Sequence, residues 1–164
     1  MSAGGVALRP AVPGDAGAIL RLIRALAEYE RLLAEVVADE AGIAAALFGP
    51  EACAEALLAE QGGAVVGFAL WFYSFSTFTG RRGIHIEDVF VEPAERRRGI
   101  GLALFRAVAA RAVREGCARL EWTVLDWNRP AVEFYRRLGA EAMDGWTVQR
   151  LSGPALHALA AQGD

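Results

Sequence analysis

Apolar residues recur along the chain with two different periods, and the changes between them mark out the elements. Val6–Arg9 is a short alternating run that predicts a first strand. Ile19, Leu22, Ile23 and Leu26 then stand at i, i+3, i+4 and i+7, one buried face of a helix. Pro13-Gly14-Asp15 opens that helix, with Asp15 as its N-cap, and it reaches about Glu30. A second helix is predicted over Asp39–Phe48, stopped by Gly49-Pro50. Residues 55–60 and 64–75 flank Gln61-Gly62-Gly63 and read as a β-hairpin. Ser74–Gly83 reads as a loop, and Ile84–Val91 as a strand ended by Glu92-Pro93. A long apolar helix follows from Gly99 to Glu115, with Gly116 at its C′ position. Ala118–Leu125 is the next predicted strand. Asn128 then caps a helix that tolerates Pro130 in its first turn and ends at Gly139. Trp146–Leu151 is expected as a last strand and Pro154–Ala161 as a tail helix.

The predicted order is βααβββαβαβ. Strand–helix–strand units in the second half imply parallel pairing, and the Gly62-Gly63 hairpin implies antiparallel pairing. The expected fold class is α/β: a mixed, partly parallel sheet with helices on both faces. The 164 residues suffice for one domain spanning 1–164.

Composition narrows the chemistry. Seventeen basic residues against 20 acidic ones leave a net charge of −3, which is no nucleic-acid footprint. Every basic residue is Arg, and without a Lys there is neither a P-loop phosphate site nor Schiff-base chemistry. Cys53 and Cys117 form no disulfide framework and show no metal-ligand spacing. His85 and His157 are single histidines without a paired ligand, so no metal is expected. No apolar run is long enough to span a membrane, and the first residues carry no basic or apolar leader pattern. A cytoplasmic location is the expectation.

Three segments carry candidate chemistry. Arg96-Arg97-Arg98-Gly99-Ile100-Gly101-Leu102 lies after a strand and at a helix start. Unpaired N–H groups and the helix dipole favour an anion there, glycines allow close approach, and guanidinium groups add charge-assisted bonds. A Rossmann fingerprint read from Gly99 fails, because Leu104 stands where a small residue is needed. A glycine-opened helix with a solvated arginine run is the bland alternative. The second segment is Glu87-Asp88 on the strand IHIEDVFV. Neighbours on a regular strand face opposite ways, so the two should not act as a carboxylate pair. One of them faces a layer that is normally apolar, either satisfied structurally or at the floor of a cleft, where it holds or deprotonates an amine. The third is the stretch from Asp126 to Tyr135, whose helical pattern makes Tyr135 a boundary tyrosine or a proton donor facing a cleft. Glu28–Glu60 holds eight acidic residues and one Arg, a solvated face or a funnel for a cationic substrate.

Together these segments resemble the GNAT N-acetyltransferases. Arg96–Gly101 is similar to the family's R/Q-x-x-G-x-G/A acetyl-CoA motif, and the element order is similar over nearly the whole chain. Glu87–Val91, the stretch Trp127–Tyr135 and Leu26-Ala27-Glu28-Tyr29-Glu30 resemble the diamine, spermidine/spermine and thialysine N-acetyltransferase subgroup. The resemblance implies acetyl-CoA as co-substrate and a small cationic amine that attacks the thioester directly in a ternary complex. It implies pyrophosphate on the N–H groups from Arg97 to Leu102 and pantetheine along Val89, Phe90 and Val91, with Asn128, Pro130 and Ala131 near the cofactor. Tyr135 would protonate the leaving thiolate. Glu87 would hold or deprotonate the amine, with Tyr29, Glu30 and Asp88 on the substrate side. Arg97 and Arg98 occupy positions that vary in the family and add charge only. A homodimer is also implied. The competing expectations are a different amine, such as a protein N-terminus or an antibiotic, and a non-catalytic acyl-CoA-binding module.

Overall fold

The computed structural model describes residues 5–163. The first four residues of the leader reading and the last residue of the chain lie outside the described residues. The chain divides into two compact units at the Leu125–Asp126 junction.

The first unit holds a five-stranded sheet in the order β1-β2-β3-β4-β5. Its strands are β1 (Val6–Pro10), β2 (Glu55–Gln61), β3 (Ala64–Ser76), β4 (Arg81–Val91) and β5 (Leu120–Trp122). All neighbours pair antiparallel except β4 and β5, which run parallel. Helices α1 (Ala16–Tyr29), α2 (Glu40–Phe48) and α3 (Ile100–Arg114) complete the unit. The mixed sheet of the expected α/β class is therefore present.

The predicted face of α1 forms the core. Ile19 and Leu22 are fully buried against Ala56, Leu58, Phe68 and Phe90, with Ile23 and Leu26 packed on the same cluster. Burying side chains of this size contributes about 1.5–3 kcal/mol each. The opposite face takes α3. Trp71 and Tyr73 alternate with Leu70 and Phe72 along β3 and point the other way. There the Arg111 guanidinium lies 5.6 Å from the Trp71 ring, and its Nε donates to the Tyr73 hydroxyl at 3.2 Å. Phe105 of α3 meets the edge of Trp122 at 5.0 Å.

Local signals set most boundaries. Gly62 and Gly63, at φ +57° and +82°, make the tight turn between β2 and β3, which suits paired left-handed positions. Asp39 caps α2 by accepting from the Gly42 N–H at 2.8 Å. Asp15 does not cap α1 through its side chain. Its carboxylate instead takes the Val12 N–H at 2.7 Å and the Arg9 guanidinium at 2.7 and 3.0 Å, and Arg9 holds its pKa below the usual range.

Three sequence expectations are corrected. The predicted loop from Ser74 to Gly83 is mostly ladder, because β3 and β4 stay paired out to Ser76 and Arg81. The strand predicted over 118–125 shrinks to Leu120–Trp122, opposite Ile84–Ile86 of β4. The strand predicted over 146–151 does not form in the second unit. A strand also needs a partner to pair with, and these residues pair with no strand among the described residues. The second unit consists of α4 (Arg129–Arg137) and α5 (Gly153–Ala160), joined by irregular chain and turns.

Candidate active site

The site residues on β4 owe their placement to a bulge. Leu70 pairs with Asp88, yet the next residue, Trp71, pairs with Ile86, so Glu87 is the extra residue on β4. Phe68, Leu70 and Phe72 share the α1 face of β3 by strict alternation. Their partners Phe90, Asp88 and His85 share it too. The expectation that Glu87 and Asp88 cannot act together held only for a regular strand, and the bulge removes that condition.

Asp88 is half-buried, the less exposed member of the pair. Burial, then repulsion from Glu87 and then from Glu30, pushes its carboxyl up to about 7. No hydrogen-bond donor reaches it among the described residues. Glu87 itself is exposed. Glu30 follows the C-terminus of α1 and is also raised, by burial. Glu87 and Glu30 thus both lie within electrostatic range of Asp88. Tyr29 precedes Glu30 and is 38% exposed. Its ring lies under the Arg96 guanidinium at 4.9 Å.

The main-chain N–H groups of Val89 and Val91 on β4, beyond the bulge, point to one edge, where the Val91 carbonyl already accepts from Arg96. Glu92 N–H donates to the Val66 carbonyl, so its neighbours at odd spacing, Val89 and Val91, turn their main chain away from β3. On that side β5 ends opposite Ile86. Strand edges of this kind accept an extended amide-bearing ligand. Phe90, between the two valines, is buried in the core and serves packing with its side chain.

The loop into α3 bends through two left-handed residues. Arg97 and Gly99 both have positive φ, +63° and +76°. For Arg97 this is an uncommon conformation, of the kind that gathers main-chain N–H groups into an anion-binding concavity. No side chain caps α3. The first helical bond runs from Ala103 N–H to Gly99 O at 2.9 Å, which leaves the N–H groups of Ile100, Gly101 and Leu102 ahead of the ladder. A Cβ placed on Gly101 would meet nothing within 4 Å, so the glycine leaves open a space that a side chain would fill. The three arginines differ in their partners. Arg96 donates from Nε to the Val91 carbonyl at 3.0 Å. Arg98 pairs with Glu95 and donates to Gln61. Arg97 makes no ion pair among the described residues.

In the second unit, the remaining candidates lie on α4. Asn128 is buried, and its Oδ1 accepts from Ala131 N–H at 3.4 Å, so it is the predicted N-cap. Pro130 sits in the first turn. Tyr135 lies one turn beyond Ala131, half-buried, with its ring 5.6 Å from that of Phe134. His85, which had no assigned role, stacks on Phe72 at 4.9 Å. Cys53 is exposed and Cys117 half-buried, and both are free thiols. No group of three or more His, Cys, Asp or Glu side chains could hold a metal ion among the described residues. Sequence reasoning missed the bulge and the Arg96–Tyr29 contact, neither of which has a signature in local periodicity.

The profile of the Acetyltransferase (GNAT) family matches residues 20–140. The chain is 41% identical to the thialysine N-epsilon-acetyltransferase of Bos taurus over 168 aligned positions, covering 96% of this chain and 98% of that one. It is 43% identical to an L-ornithine N5-acetyltransferase of Arabidopsis thaliana over 58% of this chain and 42% of that protein. An integron cassette protein from the mobile metagenome of V. cholerae superposes with a TM-score of 0.81 at 25% identity, covering 96% of this chain and 98% of that chain. The profile match over most of the chain and the likeness to a relative over nearly its full length show that the chain belongs to the GNAT acetyltransferase family.

Proposed function

We propose that the protein transfers the acetyl group of acetyl-CoA to a primary amine of a small substrate that carries more than one positive charge, such as thialysine, ornithine or a diamine. That it is an acetyltransferase acting on amines follows from its relatives. The finer reading rests above all on Asp88, a half-buried carboxyl with no donor of its own among the described residues, within electrostatic range of Glu87 and Glu30. A buried carboxylate without a partner is costly, and a bound ammonium group would compensate it.

The residues present fit the cofactor. The open space at Gly101 and the uncapped start of α3 suit a pyrophosphate, and the β4 edge at Val89 and Val91 suits a pantetheine arm. Bound acetyl-CoA supplies a thioester whose carbonyl carbon the amine attacks as the C–S bond breaks. The N–H groups from Arg97 to Leu102 hold the pyrophosphate oxygens. A Val89 or Val91 N–H polarises the carbonyl. Asn128, Pro130 and Ala131 at the start of α4 contact the cofactor.

Proton accounting assigns the rest. An ammonium group must lose a proton before it can attack, and the nitrogen loses a second as the amide forms. A carboxyl tuned near 7 can take one of them at neutral pH, which suits Asp88. Glu87, with Glu30 and Tyr29, holds the cation in place and shares that proton traffic. Tyr135 gives its phenolic proton to the departing thiolate and recovers one from the new amide nitrogen through solvent. The product is then a neutral amide and a free thiol.

The proposal includes one acetyltransferase domain spanning both units, since the family profile crosses the Leu125–Asp126 junction. It also includes a homodimer, testable by light scattering, and a cytoplasmic location. No helix among the described residues is long and apolar enough to cross a membrane.

Thiol release from acetyl-CoA tests the function. The panel is thialysine, ornithine, putrescine, spermidine, spermine, lysine and a short peptide, with an amine-free blank to subtract Cys53 and Cys117. Release with thialysine or a diamine well above that with the peptide is expected. Release with the peptide alone would overturn the small-cation reading, and no release with any amine would favour a non-catalytic binding module.

A further inference from the structure

Arg96 opens the loop that forms the anion cradle, yet its side chain turns back from it. The guanidinium carbon lies 4.9 Å from the ring centre of Tyr29 and 5.4 Å from that of Phe90. Its Nε donates to the Val91 carbonyl at 3.0 Å. It makes no ion pair among the described residues, although Glu30 adjoins Tyr29 in sequence. These contacts join three parts of the site: the end of α1 that bears Tyr29 and Glu30, the strand that bears Asp88, and the loop before α3. A planar guanidinium stacks on aromatic faces and donates along its edge at the same time, which an ammonium group cannot do. Next to it, Arg97 holds a positive φ of +63°, a conformation with a cost that a bound anion can offset.

We infer that Arg96 is a positioning residue that couples the two ligand sites: an anion on the loop fixes Arg96, Arg96 links the Tyr29 ring to Phe90 and the Val91 carbonyl of β4, and the end of α1 so held receives the amine. This inference rests on the cofactor and amine sites proposed above. Because coupling between two sites is reciprocal, the amine must tighten the binding of CoA by the same factor by which CoA tightens the amine.

Calorimetric titration of CoA, with and without saturating thialysine, measures that factor. In the parent protein thialysine is expected to lower the Kd of CoA by about fivefold or more, the lower end of typical coupling. Arg96→Gln and Tyr29→Leu should each bring the factor to within about twofold of unity, and the double variant should go no lower. Tyr29→Phe keeps the ring and should keep the coupling. Arg96 and Tyr29 both lie at the surface, so these substitutions leave the core intact. A merely structural or merely electrostatic role for Arg96 would weaken CoA binding and leave the factor unchanged. That result overturns the inference, as does a factor of one in the parent protein. Failure of CoA to bind the parent protein at all would overturn the cofactor site itself, and this inference with it. Normal thiol release with coupling retained in Arg96→Gln would overturn this inference alone.

Discussion

Asp88 shares one face of β4 with His85, three positions back, a spacing that a regular strand does not allow. The pairing of Asp88 with Leu70 and of His85 with Phe72 establishes it, and Glu87 is the residue that absorbs the difference. One inserted residue therefore brings a carboxylate onto the layer between the sheet and α1, where Glu30 also lies within electrostatic range. Bulges beside active sites commonly re-aim a side chain in this way.

The raised carboxyl of Asp88 makes stability depend on pH in a predictable direction. Its folded-state pKa of about 7 lies above the ordinary carboxyl value of about 3.9, so the folded state binds more protons between those values. Its contribution to stability is therefore greatest below about pH 4 and is lost as pH rises through 7. Asp88→Asn removes that slope. Denaturant unfolding at pH 8 should show the variant more stable than the parent by about 1–3 kcal/mol, with the difference shrinking toward pH 4. A variant less stable at pH 8 would show that the charge is compensated within the fold.

Activity should follow the same group with the opposite sense. The deprotonated carboxylate is the useful form, so kcat/KM should rise with pH through a limb near 7. Asp88→Asn should lower kcat/KM by about 10²–10⁴-fold and abolish that limb. Glu87→Gln removes a like charge and should move the limb to lower pH. An unmoved limb in Glu87→Gln would uncouple the two carboxylates.

Neither conformation nor packing within the fold requires glycine at 101; the proposed pyrophosphate does. Its φ is unexceptional, and an added Cβ meets nothing within 4 Å. Gly101→Leu should therefore fold with stability equal to or slightly above the parent, because leucine is the better helix former by roughly 0.8 kcal/mol. Its CoA affinity should fall at least about tenfold, an energetic loss of 1.4 kcal/mol or more. Thermal unfolding and calorimetry separate the two effects. Unchanged CoA affinity would move the pyrophosphate site away from α3.

Tyr135→Phe tests the general acid. Turnover should fall by about 10²–10⁴-fold, the usual range for a lost proton donor, with CoA affinity nearly unchanged. A poorer leaving group should widen the gap between variant and parent. Equal turnover would remove Tyr135 from the chemistry.

Much of this protein is written in short-range pattern. The amphipathic face of α1, the caps at Asp39 and Asn128, the Gly62-Gly63 turn and the glycine-opened start of α3 each depend on residues within a turn or two of one another. Periodicity and turn chemistry therefore locate them from sequence alone. The candidate residues at the start of α3, on β4 and on α4 were legible for the same reason, helped by motif spacing. Tertiary structure decided what depends on a distant partner. The strand expected over 146–151 pairs with no other strand among the described residues, and the one over 118–125 kept only the three residues that face β4. The bulge at Glu87 is a mismatch in count between two strands, so neither strand records it by itself. The raised carboxyl of Asp88 and the stacking of Arg96 on Tyr29 depend on α1 and β4 meeting in space, because burial and charge act through distance between atoms and not through separation along the chain.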